Sequence, residues 1–229
     1  MNTVAINAEH SCYKLLDKLN VSTKSFYKSF DNLPEDQYCP GGFRFRSFSR
    51  YRIENGEIVK LNHRYFRQSK KINKLWGDDD RMFGVANDDI EAEDDFKTLV
   101  WSFIESCQYD PSEIEIGYHP IRTTCQFNMR SAPAPEGIHR DGFRYIGLFC
   151  VRRQDVVGAE TMLYESLKGG KPIFRGTLSE SEMLLVKDDE IFHYTSPITT
   201  DNEEGGLRDI IVLTLVLRSE ADDVNALAY

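Results

Sequence analysis

The stretch that most constrains the fold is 210-IIVLTLVL-217, in which every residue but Thr214 is apolar. A run of this length, rich in β-branched residues, reads as a strand, and with no polar face it has to be covered on both sides. The chain around it supplies partners. Phe43 and Phe45 alternate with Arg44 and Arg46, and residues 123–129, 143–151, 160–164, 183–186 and 209–217 have strand character. Gly169-Gly170 marks a tight connection, and Pro172 stands where a strand begins rather than inside one.

Helical spacing is clearest over 93-EDDFKTLVWSFIESC-107, where Phe96, Leu99, Val100, Phe103, Ile104 and Cys107 share a face. Its acidic first turn suits the positive end of the helix dipole, so the run 88-DDIEAEDD-95 reads as a solvated helix start; no EF-hand spacing is present. Residues 10–30 are expected to form two short helical pieces, with Leu15, Leu16 and Leu19 on one face and Phe26 and Phe30 on another. The predicted fold is mainly β with flanking helices: a double-stranded β-helix (jelly roll, cupin-like) with helices packed outside. No glycine-, serine- or proline-rich linker divides the 229 residues, so one domain is expected, with N-terminal helices over about 1–40 and a jelly-roll core over about 41–218.

A formal charge of −9 speaks against a nucleic-acid partner. Basic residues nevertheless cluster in 43-FRFRSFSRYRI-53 and 64-RYFRQSKK-71, a patch better suited to a small anionic ligand. No apolar run has the length of a membrane helix and the N-terminus lacks a signal-peptide pattern, so no membrane association and a cytoplasmic location are expected. Cys12, Cys39, Cys107, Cys125 and Cys150 are scattered, odd in number and form no CxxC pair, so they read mostly as buried thiols.

The chemistry-bearing stretch is 133-PAPEGIHRDGFRYIGLF-149, where His139 and Asp141 lie two residues apart. On an extended chain such residues project to the same side. Alone, the pair is compatible with metal ligation, with acid/base work or with a polar turn. Downstream, 189-DEIFHYTSPI-198 places His193 at an apolar strand end, and Arg208 opens the buried strand after the Gly205-Gly206 turn. An arginine at that entrance needs an anion: Asp209 or a glutamate on the structural reading, a ligand carboxylate held bidentately on the functional one.

The ordered set HxD, distal His, then Arg resembles the iron(II)- and 2-oxoglutarate-dependent dioxygenases, in particular the branch of bacterial free-amino-acid hydroxylases such as isoleucine dioxygenase. The matching segments are 133-PAPEGIHRDG-142, 152-RRQDVVGAETMLYE-165, 188-DDEIFHYTSPI-198 and 205-GGLRDIIVLT-214, with 43-FRFRSFSRY-51 and 65-YFRQSKKIN-73 upstream. The resemblance implies that His139, Asp141 and His193 hold iron(II) and that Arg208 pairs with the distal carboxylate of 2-oxoglutarate. Dioxygen would then be spent in hydroxylating an unactivated C–H bond, with release of succinate and carbon dioxide. Related halogenases carry a small residue in place of Asp141, so the carboxylate here points to oxygen transfer.

Two departures stand out: 158-GAET-161 replaces the commoner Gly-Gly-Glu-Thr, a change expected to cost nothing, and Ile210 stands where some relatives have a serine that binds the cosubstrate. A second hydrogen bond to 2-oxoglutarate must come from elsewhere. For an amino-acid substrate the candidate contacts are Arg130, Glu136 and Glu160, with Tyr65, Gln68 and Ser69 on a loop expected to cover the site. Glu136 as a turn cap and Arg130 as a surface residue are the competing structural readings. A hydroxylase of carrier-tethered or peptidyl residues is the enzymatic alternative, and a non-catalytic cupin-like metal binder the non-enzymatic one. Against the latter stands Arg208, which a mere metal binder does not need.

Overall fold

The run 206–217 forms the central strand of an antiparallel sheet in the computed structural model, which describes residues 11–17, 19–62, 65–68, 70, 77–85 and 88–221. The strands are β1 (Tyr13–Leu16), β2 (Arg44–Arg46), β3 (Ser49–Glu54), β4 (Glu57–Lys60), β5 (Ile114–Cys125), β6 (Tyr145–Gln154), β7 (Val157–Gly158), β8 (Glu160–Tyr164), β9 (Phe174–Thr177), β10 (Met183–Val186), β11 (Phe192–Thr195), β12 (Ile198–Thr199) and β13 (Gly206–Leu217). Helix α1 spans Tyr27–Asp31 and α2 spans Asp94–Cys107. The larger sheet runs β1-β10-β6-β13-β5-β3-β4, with β2 also on β5; the smaller runs β11-β8-β9, and β12 pairs with β7.

Side-chain alternation on β13 divides the interior. Ile211, Leu213 and Leu215 point to a core shared with Phe96, Leu99, Val100, Phe103 and Ile104 of α2. Arg208, Ile210, Val212 and Thr214 point the other way, into a cleft whose opposite wall includes His193 and Thr195 of the smaller sheet. The strand is therefore covered on both faces, as its composition demands. This arrangement is the expected jelly roll with helices outside it. Helix α2 lies close on β6: a Cβ added at Gly147 would sit 2.8 Å from the Phe103 ring, so only glycine lets the helix settle there.

Three sequence expectations need correction. Residues 13–16 form a strand rather than a helix, because Leu15 and its neighbours pair with the apolar edge of β10, Tyr13 opposite Val186 through Leu16 opposite Met183. The second piece is helical, a 3-10 turn over Thr23–Phe26 running into α1. Strand β5 starts at Ile114 rather than 123, running straight through Pro120, which reads as a breaker. The proline is tolerated because β2 ends opposite Ile121 and β3 begins opposite Tyr118, so Pro120 faces the gap between two partner strands. After Cys125 the chain turns, with Met129 N–H donating to Gln126 O, so 126–129 is not strand.

Asp95 does more than solvate a helix start, since its carboxylate accepts from Ser22 N–H and Ser25 Oγ and ties α2 to the N-terminal segment. Four cysteines are buried and Cys12 is partly so, all as free thiols. Among the described residues no helix is long and apolar enough to cross a membrane.

Candidate metal centre and its cleft

His139 and His193 come together through the backbone. His193 lies on β11, and His139 N–H donates to His193 O at 3.0 Å while His193 N–H donates to His139 O at 2.8 Å. This bridge puts the imidazole rings 4.3 Å apart between centroids. His139 Nδ1 lies 2.8 Å from Gly137 O; since a carbonyl only accepts, Nδ1 carries the proton and the Nε2 lone pair is left for another partner. Asp141 does not sit on a regular strand; it enters a bend, and Gly142 follows at φ 88°, a conformation glycine adopts without strain.

That bend is held by Asp188, a fully buried carboxylate which accepts from the N–H groups of Asp141, Gly142 and Phe143 at 2.6 to 3.1 Å. Asp141 Oδ1 then lies 3.8 Å from His139 Nε2, and Oδ2 lies 3.4 Å from His193 Nε2. The three ligand atoms fall within 4.8 Å of one another. Burial alone would raise the Asp141 pKa and lower that of His193. The imidazoles outweigh it for Asp141, which stays ionised well below the usual carboxylate range. For His193 the carboxylates of Asp141 and Asp188 outweigh burial and push it up to about 10.

Yet Nε2 of His193 is buried with no well-directed hydrogen bond. An imidazole nitrogen orphaned between two carboxylates is the environment of a cation. Two imidazoles and one carboxylate form the donor set of a facial iron(II) site, so the residues fit that metal.

The centre opens on a cleft of about 850 Å³ including its mouth. Arg208 lines it, 3% exposed, and its Nε has no hydrogen-bond partner among the described residues. Burial pushes its pKa down to about 10, so it is charged at neutral pH. Asp209 is not its partner: that side chain points to the opposite face and binds Arg122 and Arg152 at 2.7 Å. Thr123, 1% exposed, stands directly across from Arg208 in the β5–β13 register and lines the same cleft.

Two arginines of the basic segments, Arg44 and Arg46, are buried rather than at the surface. Arg44 and Arg46 sit on the cleft-facing side of β2, and Arg81 joins them where Phe66 and Arg81 bridge. Arg46 Nη2 donates to His119 Nδ1 at 2.9 Å. His119 is buried against Phe48, and burial together with Arg46 holds its pKa well below 6.5; the neutral ring keeps its proton on Nε2, 3.3 Å from Thr214 Oγ1. Gln68 Oε1 accepts from Arg81, and its Nε2 donates to the Asp141 carbonyl at 2.7 Å.

The expected substrate contacts divide. Gln68 and Glu136 line the cleft, with Gln68 braced between Arg81 and Asp141. Arg130 is exposed on the turn after β5, outside the cleft. Glu160 faces out of β8 and pairs with Arg175 at 2.7 Å. Tyr65 is 52% exposed and lines a separate, smaller cleft. Ser69 lies outside the described residues. Thr123, His119, Arg81 and Asp188 were not anticipated; a period-two reading of FRFR could have placed Arg44 and Arg46 on one inward face.

A sequence profile described as 2OG-Fe dioxygenase matches residues 27–214. The chain is 24% identical over 191 residues to L-isoleucine-4-hydroxylase of Bacillus thuringiensis, covering 80% of this chain and 78% of that one. Among solved structures, IDO from Bacillus thuringiensis superimposes with a TM-score of 0.70 at 21% identity, covering 86% of this chain and 82% of that one. A bsmA homologue from Methylobium petroleophilum PM1 does so with a TM-score of 0.73 at 23% identity, covering 85% and 82%.

Proposed function

The chain belongs to the 2OG-Fe dioxygenase family, and on that premise we propose that it hydroxylates a C–H bond of a free L-amino acid. The family uses iron(II), 2-oxoglutarate and dioxygen. The observation that carries the reading is one cleft holding both the His139, Asp141 and His193 cluster and a buried Arg208 that has no carboxylate partner among the described residues. A relative named for an isoleucine hydroxylase supports the amino-acid class.

In this reading His139, Asp141 and His193 hold the iron, and Arg208 clamps the far carboxylate of 2-oxoglutarate. Thr123 supplies the second hydrogen bond that Ile210 cannot give, because it faces the same carboxylate from the adjacent strand. With iron and cosubstrate bound, the site converts 2-oxoglutarate and dioxygen to succinate and carbon dioxide and places one oxygen atom into the substrate C–H bond. Asp188 keeps Asp141 aimed inward, and the Gly137 carbonyl keeps His139 in the tautomer that offers Nε2. Phe66, Phe143, Ile210 and Val212 give the cleft apolar wall, which excludes water from the reacting carbon. Asp141 is a ligand in this scheme and takes no part as a general base.

The test is reconstitution with iron(II) and 2-oxoglutarate under nitrogen, then exposure to oxygen with a panel of free amino acids. Succinate formation stimulated by one of them, with gain of one oxygen atom by mass spectrometry, supports the reading. Turnover of a carrier-tethered residue but of no free amino acid would replace it.

A further inference from the structure

We propose that Arg46 and Arg81 form the subsite for the substrate's own carboxylate, so the enzyme selects substrates whose carboxyl group is unblocked. This rests on the function proposed above and settles which of its two substrate classes the cleft suits.

Arg46 and Arg81 are 9% and 3% exposed and both line the cleft. Neither has a carboxylate within ion-pair reach among the described residues, and Nε of each lacks a hydrogen-bond partner. Three other inward or half-buried arginines are neutralised: Arg44 by Asp36 at 2.8 Å, and Arg122 and Arg152 by Asp209. Arg46 and Arg81 also share two aromatic faces. Arg46 lies 4.0 Å from the Phe83 centroid and Arg81 lies 4.8 Å from that of Phe66. Ring faces orient guanidinium groups but leave their charge uncancelled, and two like charges packed side by side away from water call for an anion.

Their remaining contacts are with neutral acceptors. His119 Nδ1 fixes Arg46, and Gln68 Oε1 fixes Arg81. Such partners set direction without cancelling charge, which leaves a preorganised anion site. It is distinct from Arg208, whose titratable neighbours are Cys150, Arg153 and Asp209, whereas those of Arg46 are Asp36, Arg44, Arg81 and Asp141. The cleft thus offers one cation for 2-oxoglutarate and a separate pair for a second carboxylate. Gln68 spans from Arg81 to Asp141, so an acid held there lies one amide group away from the metal ligand. Glu136, on the same cleft, faces the ammonium. A residue tethered as a thioester or amide has no carboxylate to offer this pair.

The holoenzyme with iron(II) and 2-oxoglutarate under nitrogen gives a visible chelate absorption whose perturbation reports substrate binding without turnover. The proteinogenic L-amino acids are screened this way, and the strongest ligand is compared with its carboxamide and methyl ester. The amide and ester are expected to bind roughly 10- to 100-fold more weakly than the acid, the range of a lost charged hydrogen-bond pair. Arg46→Gln and Arg81→Gln should weaken the acid by a similar factor, leaving the amide and 2-oxoglutarate unaffected. Equal binding of acid, amide and ester by the wild-type protein overturns the inference whether or not the variants fold, as does a formed chelate that responds to no free amino acid. Failure of the chelate to form strikes instead at the iron and 2-oxoglutarate reading, and the inference falls with it.

Discussion

Thr123 and Arg208 face each other across the β5–β13 ladder, both buried and both on the cleft wall. Strand alternation makes this pairing specific: a shift of one residue would exchange Arg208 for Asp209, which is engaged with Arg122 and Arg152 on the opposite face. A hydroxyl and a guanidinium set opposite one another can bind the two oxygens of one carboxylate. Thr123→Val is therefore expected to raise the KM for 2-oxoglutarate roughly tenfold with little change in kcat, as loss of one hydrogen bond to a charged group implies. Steady-state kinetics in 2-oxoglutarate at saturating substrate check this.

Asp188 is not one of the three clustered donors, yet it lies 3.2 Å from His193 Nε2 and holds the bend that aims Asp141. Asp188→Asn removes the charge that gathers N–H groups from Asp141, Gly142 and Phe143. Its expected effect is a loss of iron affinity of about 10- to 100-fold. Metal titration under nitrogen measures it, and circular dichroism shows that the sheets persist.

His119 should set an acid limit on stability. Its folded pKa lies well below 6.5 because burial and Arg46 oppose the charged ring, so the unfolded chain binds the extra proton first. The sign follows: this contribution is fully present above pH 6.5 and is lost as pH falls through 6.5 toward the folded value. His119→Gln is expected to flatten the fall in Tm on the acid side of neutrality. Thermal melts of the metal-free protein and the variant across that range provide the comparison.

Ala159 occupies a left-handed conformation at φ 53° and is 1% exposed. The strain of about 1–2 kcal/mol is offset by burial of its methyl group, worth about 0.8 kcal/mol, and by the entropy a glycine would return to the unfolded chain. Ala159→Gly should thus shift stability by no more than about 1 kcal/mol in either direction on these opposing magnitudes. Urea unfolding resolves a change of that size.

How far the chain could be read depended on whether local pattern carried the information. The apolar run 210–217 and the helical spacing of Phe96 to Cys107 declared their environments, because one layer on each face leaves its mark residue by residue. The order HxD, His, Arg made the clustering of His139, Asp141 and His193 readable although His139 and His193 meet only through a long-range backbone bridge. Residues 13–16 are ambiguous in sequence because a short apolar segment suits either a helix face or an edge strand, and only β10 decides between them. Arg81 carries no local signal: it reaches the cleft through its bridge to Phe66, which sequence spacing does not reveal. Arg130 and Glu160 carry charge and stand near the cluster along the chain, but the turn after β5 and the outward face of β8 carry them away from the cleft.

The most direct test of the central claim is a titration of the metal-free protein with iron(II) under nitrogen in the presence of 2-oxoglutarate, followed by the visible absorption of the chelate. The account predicts saturation at a single iron per chain for the wild-type protein, and loss of both the absorption and tight iron binding in His193→Ala and Asp141→Ala that remain folded. Folded variants that bind iron and develop the same absorption with unchanged affinity would contradict it.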